Sequence, residues 1–245
     1  MSVPVDQERY TKKSSMPFLD HIEELRKRLL KSALAVVLMT IIALYFSEQL
    51  LAFVVAPLGG VKLHVTEVTG SFNAYLKIAL IAGVLSALPV IFYQLWTFIS
   101  PGLYRQEKSM VMPLVTISTL LFLAGAAFCY FLILPLSLKF LIDFSGGLFS
   151  PIITVGSYIS FAGMLILAFG VGFELPIVTY FLGRMGIVSS QALSKGRRYA
   201  AVIILITSAI FTPTPDVFTQ MMLAVPMYLL YELSIVIVRI TGKNK

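Results

Sequence analysis

Four stretches of the chain hold residues whose types and spacing could do chemistry. The first is His21-Ile22-Glu23-Glu24-Leu25-Arg26-Lys27-Arg28, in which Glu24 and Arg28 stand four residues apart and would share one face of a helix. On an isolated helix such a pair is worth about 0.2–0.5 kcal/mol and needs no further role. The second runs from Phe98 to Lys108, a short turn with aromatic residues and one acid, Glu107; its plain reading is an aromatic anchor at a membrane interface. The third is Phe173-Glu174-Leu175-Pro176, which sets a carboxylic acid inside an apolar run. Placing an acid in lipid costs at least about 2.5 kcal/mol, so Glu174 must face protein or a wet cavity. Two readings stand for it: a functional group, or a hydrogen bond to a neighbouring helix that fixes packing. The fourth is Thr212-Pro213-Thr214-Pro215-Asp216-Val217-Phe218-Thr219-Gln220, a rigid turn in which Asp216 is placed to cap the next helix.

Other chemistries lack their parts. The chain has two histidines, His21 and His64, both outside the apolar runs, and a single cysteine, Cys129, inside one. Paired-histidine haem ligation, a zinc site and a histidine-dependent hydrolase therefore have too few residues to work with. No Gly-x-Ser-x-Gly and no phosphate-binding glycine loop occurs. No enzymatic activity, metal or cofactor is expected.

The elements that must position these residues follow from composition. Of 245 residues, 58% are apolar and only 13% charged, with a mean hydropathy of +0.90. That leaves too few charges to cover a water-soluble fold. Long unbroken apolar runs, rather than alternation, predict an all-α integral membrane protein. Six spans are expected, at about 30–53, 72–99, 110–134, 158–182, 199–211 and 217–238, in one membrane domain over 16–240. Residues 1–15 read as a flexible cytoplasmic N-terminus and 241–245 as a cytoplasmic tail. Spacing of Phe18, Ile22, Leu25 and Leu29 predicts an amphipathic helix running into the first span, which reads as retained rather than cleaved. A crossing needs about 20 residues, so the fifth run falls short.

Sixteen of the nineteen Lys and Arg fall in the N-terminal segment, the loops after spans two and four, and the tail. The positive-inside rule places these, and both termini, in the cytoplasm. Lys62 and Lys139 fall on the other side, and Lys77 is expected to be buried near the start of span two. The net charge of +7 is thereby explained by topology, and nucleic acid is not an expected partner. Glu232 lies near an end of span six, where it can snorkel to the surface and play a structural part. Prolines at 89, 113, 135, 176 and 226 predict kinked helices and a cupped bundle, and no internal repeat is evident.

Six fragments in order resemble the twin-arginine translocase core subunit, the TatC family. They are His-x-x-Glu-Leu-Arg-x-Arg at 21–28, Ala-Pro-Leu at 56–58, and Tyr-Gln-Leu-Trp-x-Phe-Ile at 93–99. Gly-Leu-Tyr-x-x-Glu-Lys at 102–108, Ala-Phe-Gly-x-x-Phe-Glu-x-Pro at 168–176 and Pro-Asp-Val-Phe-x-Gln at 215–220 complete the set. The resemblance spans about Phe18 to Arg239. It implies a receptor in the bacterial inner membrane for twin-arginine signal peptides of folded cargo proteins, driven by the proton-motive force. The implied fold is a cupped six-helix bundle with short fifth and sixth spans. The implied signal-peptide site consists of Glu24, Arg26 and Glu107, with Phe98 and Leu103 nearby, and Arg26 is expected to orient a carboxylate. Pro57, Asp216 and Gln220 match further family positions, and Glu174 would sit at the wall of the groove that holds the signal. Implied partners are single-span Tat subunits of the TatA and TatB type, further copies of the chain, and the lipid bilayer.

The main rival is a secondary transporter or proton-conducting protein that uses Glu174 as its relay. Proton paths string several polar groups through the bilayer, and Glu174 has no charged companion at similar depth in the sequence. A purely structural assembly subunit is the other alternative.

Overall fold

A backbone in hydrocarbon has no water to bond, so each crossing must satisfy its own amides as a helix. The computed structural model describes residues 18–99, 111–144, 152–212 and 216–241, and every regular element among them is helical. Leu103, Glu107 and the two prolines at 213 and 215 lie outside the described residues, as do the terminal segments. Helix α1 spans Phe18–Tyr45, α2 Ser47–Val55, α3 Gly70–Ile99, α4 Val111–Phe128 and α5 Leu134–Asp143. They are followed by α6 Val155–Gly172, α7 Leu175–Arg184, α8 Ser190–Lys195, α9 Arg197–Phe211 and α10 Val217–Thr241.

Five segments are long and apolar enough to cross a membrane: His21–Tyr45, Gly70–Ile99, Val111–Asp143, Val155–Arg184 and Val217–Thr241. With 15 residues, α9 extends only about 22 Å, short of a 30 Å hydrocarbon layer. The sixth span, expected to be short as well, is instead 25 residues long, because apolar residues continue past Val238 to Ile240.

The breaks in these helices have sequence causes. The first crossing stops at Tyr45 rather than Phe53, and Phe46 leaves helical geometry at φ −101°, ψ 15°. Ser47-Glu48-Gln49 follow, three polar residues suited to a membrane edge, and α2 then turns its Leu50, Leu51, Val54 and Val55 onto the protein core. Two tyrosines accept the cost of ending α2 there. The Tyr130 hydroxyl donates to the Phe53 carbonyl at 2.6 Å and the Tyr158 hydroxyl to the Val54 carbonyl at 2.5 Å, so two phenols from other segments hold carbonyls in the last turn of α2. The Tyr130 ring also stacks on Phe53 at 4.5 Å.

Pro135 has no amide proton and crowds the carbonyl one turn earlier. The chain absorbs this with a wide π turn at Cys129–Ile133 and continues as α5, so the third crossing ends near Asp143, nine residues beyond the expected Leu134. Pro176 acts similarly, and the fourth crossing breaks at Phe173-Glu174 between α6 and α7.

Helix α6 is the hub. Tyr158, Ile159, Ala162, Leu165, Ile166 and Phe169 are all buried, whereas Ala43 is the only buried residue of α1 among those described. Lipid is as apolar as the core, so helices here associate through close van der Waals contact rather than escape from water. Small residues permit that contact. A Cβ on Gly83 of α3 would lie 2.7 Å from the Thr40 amide nitrogen of α1, and one on Gly125 of α4 would lie 2.6 Å from the Phe169 carbonyl oxygen of α6. Helices α1 and α3 run antiparallel, so α1 begins beside the end of α3, here called the near end. The far end carries α2, the start of α6 and the α9–α10 turn.

Gly125→Val should therefore overpack the α4–α6 crossing and lower stability by about 1–3 kcal/mol. Gly156→Ala, where an added Cβ meets nothing within 4 Å, should leave it unchanged or slightly raised. Thermal unfolding of the detergent-solubilised chain distinguishes them, and equal transition temperatures would contradict the packing account.

Candidate functional site

At the near end, α1 presents its acidic and basic residues on successive faces. Glu23 pairs with Lys27 at 2.7 Å on the exposed side. Glu24, less exposed, accepts from Arg28 at Oε1, with the Arg28 Nε at 3.0 Å and its Nη2 also bonded. The other carboxylate oxygen, Oε2, is buried and has no hydrogen-bond partner among the described residues. Arg28 therefore orients Glu24. Arg26, expected to orient a carboxylate, starts about 200° further round the helix from Glu24 and is exposed. The i, i+4 spacing in the sequence carried the signal for Arg28, but spacing alone could not say that the pair would be half-buried.

The aromatic turn residue Phe98, at the last turn of α3, is brought to this face. The His21 imidazole stacks on the Phe98 ring at 4.5 Å, so the first turn of α1 rests on the end of α3. Two residues earlier, Trp96 donates from Nε1 to the Ser118 hydroxyl of α4 at 3.0 Å, and its ring meets Phe181 of α7 edge-on at 5.0 Å. Trp96 thus joins α3, α4 and α7, while Leu103 and Glu107 lie outside the described residues.

Glu174 sits at the break between α6 and α7, where its residue is only 9% exposed. Its Oε1 is buried without a hydrogen-bond partner among the described residues, while the Ser118 hydroxyl lies within electrostatic reach of the carboxyl. The acid is therefore enclosed by protein rather than exposed to lipid, next to the Trp96–Ser118 bond. Such a group can serve either as a packing contact or as an acceptor waiting for a donor.

The far-end residues have local partners. Asp216 accepts from the Thr219 amide at 2.6 Å, capping α10, and Gln220 donates from Nε2 to the Leu205 carbonyl of α9 at 3.0 Å. Phe218 stacks on Phe140 of α5 at 3.8 Å. Pro57 lies in the 3-10 turn Ala56–Leu58 that closes α2. At the near end, by contrast, Glu232 pairs with Arg197 through two contacts of 2.8 Å, and this hydrogen bond and charge raise the Arg197 guanidinium above its ordinary value. Sequence reasoning missed Tyr130 and Tyr158, although a phenol inside an apolar run has to find a partner when buried. It also placed Lys77 in the interior, whereas the side chain is exposed and donates to Ser160 Oγ at 2.9 Å.

Comparison with known proteins fits this arrangement. A family profile described as Sec-independent protein translocase protein (TatC) matches residues 20–226. The Sec-independent protein translocase protein TatC of Desulforapulum autotrophicum is 43% identical over 234 residues, covering 94% of this chain and 86% of its own length. That of Aquifex aeolicus is 40% identical over 236 residues, covering 94% and 98%. A crystal structure of the twin-arginine translocase receptor TatC superposes with a TM-score of 0.82 at 41% identity, over 90% of this chain and 99% of that one. A second, of the same receptor in DDM, gives 0.82 at 40% identity. With its profile covering most of the chain and its relatives nearly full-length, this multi-pass helical membrane protein belongs to the TatC family of Sec-independent protein translocase proteins, a transport component and not an enzyme.

Proposed function

We propose that the chain is the receptor subunit of a twin-arginine translocase, binding the signal peptides of folded cargo at the near end. That end would face the cytoplasm of a bacterial inner membrane, with both termini on the same side. The asymmetry of Lys and Arg along the chain supports this orientation, and a solved relative is itself described as a twin-arginine translocase receptor. The observation that carries the reading is Glu24, a carboxylate held by Arg28 through one oxygen, with its second oxygen buried and unmatched among the described residues, on the same helix end whose His21 stacks on Phe98.

A guanidinium binds carboxylates through forked, charge-assisted hydrogen bonds that a lysine ammonium cannot reproduce. Each such bond nets about 1.5–3 kcal/mol. Two acids, Glu24 and Glu107, would therefore favour consecutive arginines over lysines by orders of magnitude. Phe98 and Leu103 would form the apolar rim, and Arg26 would act on the exposed side of α1. Pro57, Asp216 and Gln220 would serve by holding the far end in shape. Single-span Tat subunits and further copies of the chain would complete the machine, with transport drawing on the proton-motive force. A transporter or proton-conducting role for Glu174 is not favoured, because the family to which the chain belongs moves proteins.

Glu24→Ala or Glu107→Ala should abolish crosslinking to a twin-arginine signal peptide while the protein remains stably inserted. Unchanged crosslinking in the double variant would remove the site assignment. Glu174→Ala should impair transport more than signal binding, measured in the same vesicles. Equal loss of both, or loss of folded protein, would assign Glu174 to packing alone.

A further inference from the structure

The far end holds a cavity of about 600 Å³ between the loop after α2, the first turns of α3 and α6, and the end of α5. That size falls in the range of small-molecule sites, about 300–1,000 Å³. Its lining mixes two chemistries, the polar Lys77, Ser157 and Ser160 with the apolar Leu138, Leu141 and Phe161. Glu67 stands on the same lining, exposed.

Lys77 is the unusual member. It lies seven residues into α3, about 10 Å from the helix start and inside a segment able to cross the membrane. A charge at such a depth is rare and generally marks a pathway or a ligand. An ammonium has three donors. One goes to Ser160 Oγ at 2.9 Å, and among the described residues no carboxylate lies within ion-pair distance of the other two. Leu76 and Leu80, its neighbours on α3, are exposed as lipid-facing residues are. The loop wall is fixed rather than loose: the His64 amide donates to the Ile153 carbonyl at 2.9 Å, and the Val155 amide donates to the His64 carbonyl at 3.0 Å.

We propose that this cavity binds a phospholipid, with its phosphodiester on Lys77 and the Ser157 hydroxyl and its glyceryl and upper acyl part along Leu138, Leu141 and Phe161. A cation inside a segment able to cross the membrane, set in a lining that also holds apolar residues, fits an amphiphile better than a soluble anion. Glu67 disfavours a second negative charge and favours a headgroup that carries its own ammonium. The site is therefore selective for a zwitterionic lipid over an anionic one. It lies at the opposite end of the molecule from the signal-peptide site and does not depend on that assignment.

Native mass spectrometry of the full chain in detergent tests this with phosphatidylethanolamine, phosphatidylglycerol, diacylglycerol and water-soluble glycerophosphoethanolamine as probes. One phosphatidylethanolamine adduct is expected. Lys77→Gln should weaken it by about tenfold or more, the loss of one charge-assisted hydrogen bond, and Lys139→Gln, outside the lining, should not. Glu67→Gln should narrow the preference over phosphatidylglycerol. Equal retention of diacylglycerol would reduce the site to ordinary annular lipid, and equal competition by the soluble headgroup would make it a free phosphate site; either overturns the proposal. An adduct unchanged in Lys77→Gln overturns it as well. If that variant does not purify folded, Leu141→Trp fills the cavity and leaves the lysine in place: loss of the adduct supports the site, and retention overturns it.

Discussion

A helix that stops inside a membrane protein must have its loose carbonyls and amides met by protein, because lipid offers nothing to bond. This chain interrupts its helices at Phe46, at Cys129–Ile133 and at Phe173-Glu174, and the rest of the architecture answers to those interruptions. Burial of α6 on almost every face makes them tolerable. Its Tyr158, together with Tyr130 from the π turn, supplies the donors that end α2. The result is a framework whose bends are held from within.

The bends also decide where polar groups sit. Breaking the fourth crossing at Phe173-Glu174 puts a carboxyl at a helix junction beside the Trp96–Ser118 bond, where a continuous helix would have left its amide and carbonyl groups fully engaged. At the near end the same tryptophan joins α3 to α4 and α7, and His21 rests α1 on Phe98. Glu24 is thereby presented from a fixed surface, already aligned by Arg28. In the proposed receptor, that alignment matters more than charge. A mobile surface acid attracts any cation, whereas an oriented carboxylate with one oxygen in use can discriminate by the geometry of the donor.

Much of the frame was legible in the residues, because apolar length and proline position act locally. The start of α3 and the shortness of α9 follow from runs that a reader can count. The ends of other helices were not legible. Leu50, Leu51, Val54 and Val55 look like membrane residues, yet they pack against the protein core, and hydropathy does not distinguish the two apolar surroundings. Pro135 reads as a stop but is absorbed by a π turn, since neighbours on α6 enclose the irregular backbone. The site divides in the same way. Spacing pairs Glu24 with Arg28 and places Asp216 to cap α10, both interactions within one turn of helix. Trp96 with Ser118, Gln220 with Leu205 and Lys77 with Ser160 join distant segments, and each needed the tertiary arrangement before it could be named.

Recognition of paired guanidiniums by an aligned acid is most directly measured as a ratio of affinities. Titration calorimetry of the purified full chain with two signal peptides differing only in Arg-Arg or Lys-Lys gives that ratio. The account predicts binding at least about tenfold tighter for the arginine peptide, the value of one charge-assisted hydrogen bond, with most of the difference lost in Glu24→Gln. Equal affinities for the two peptides in the unaltered protein would contradict it.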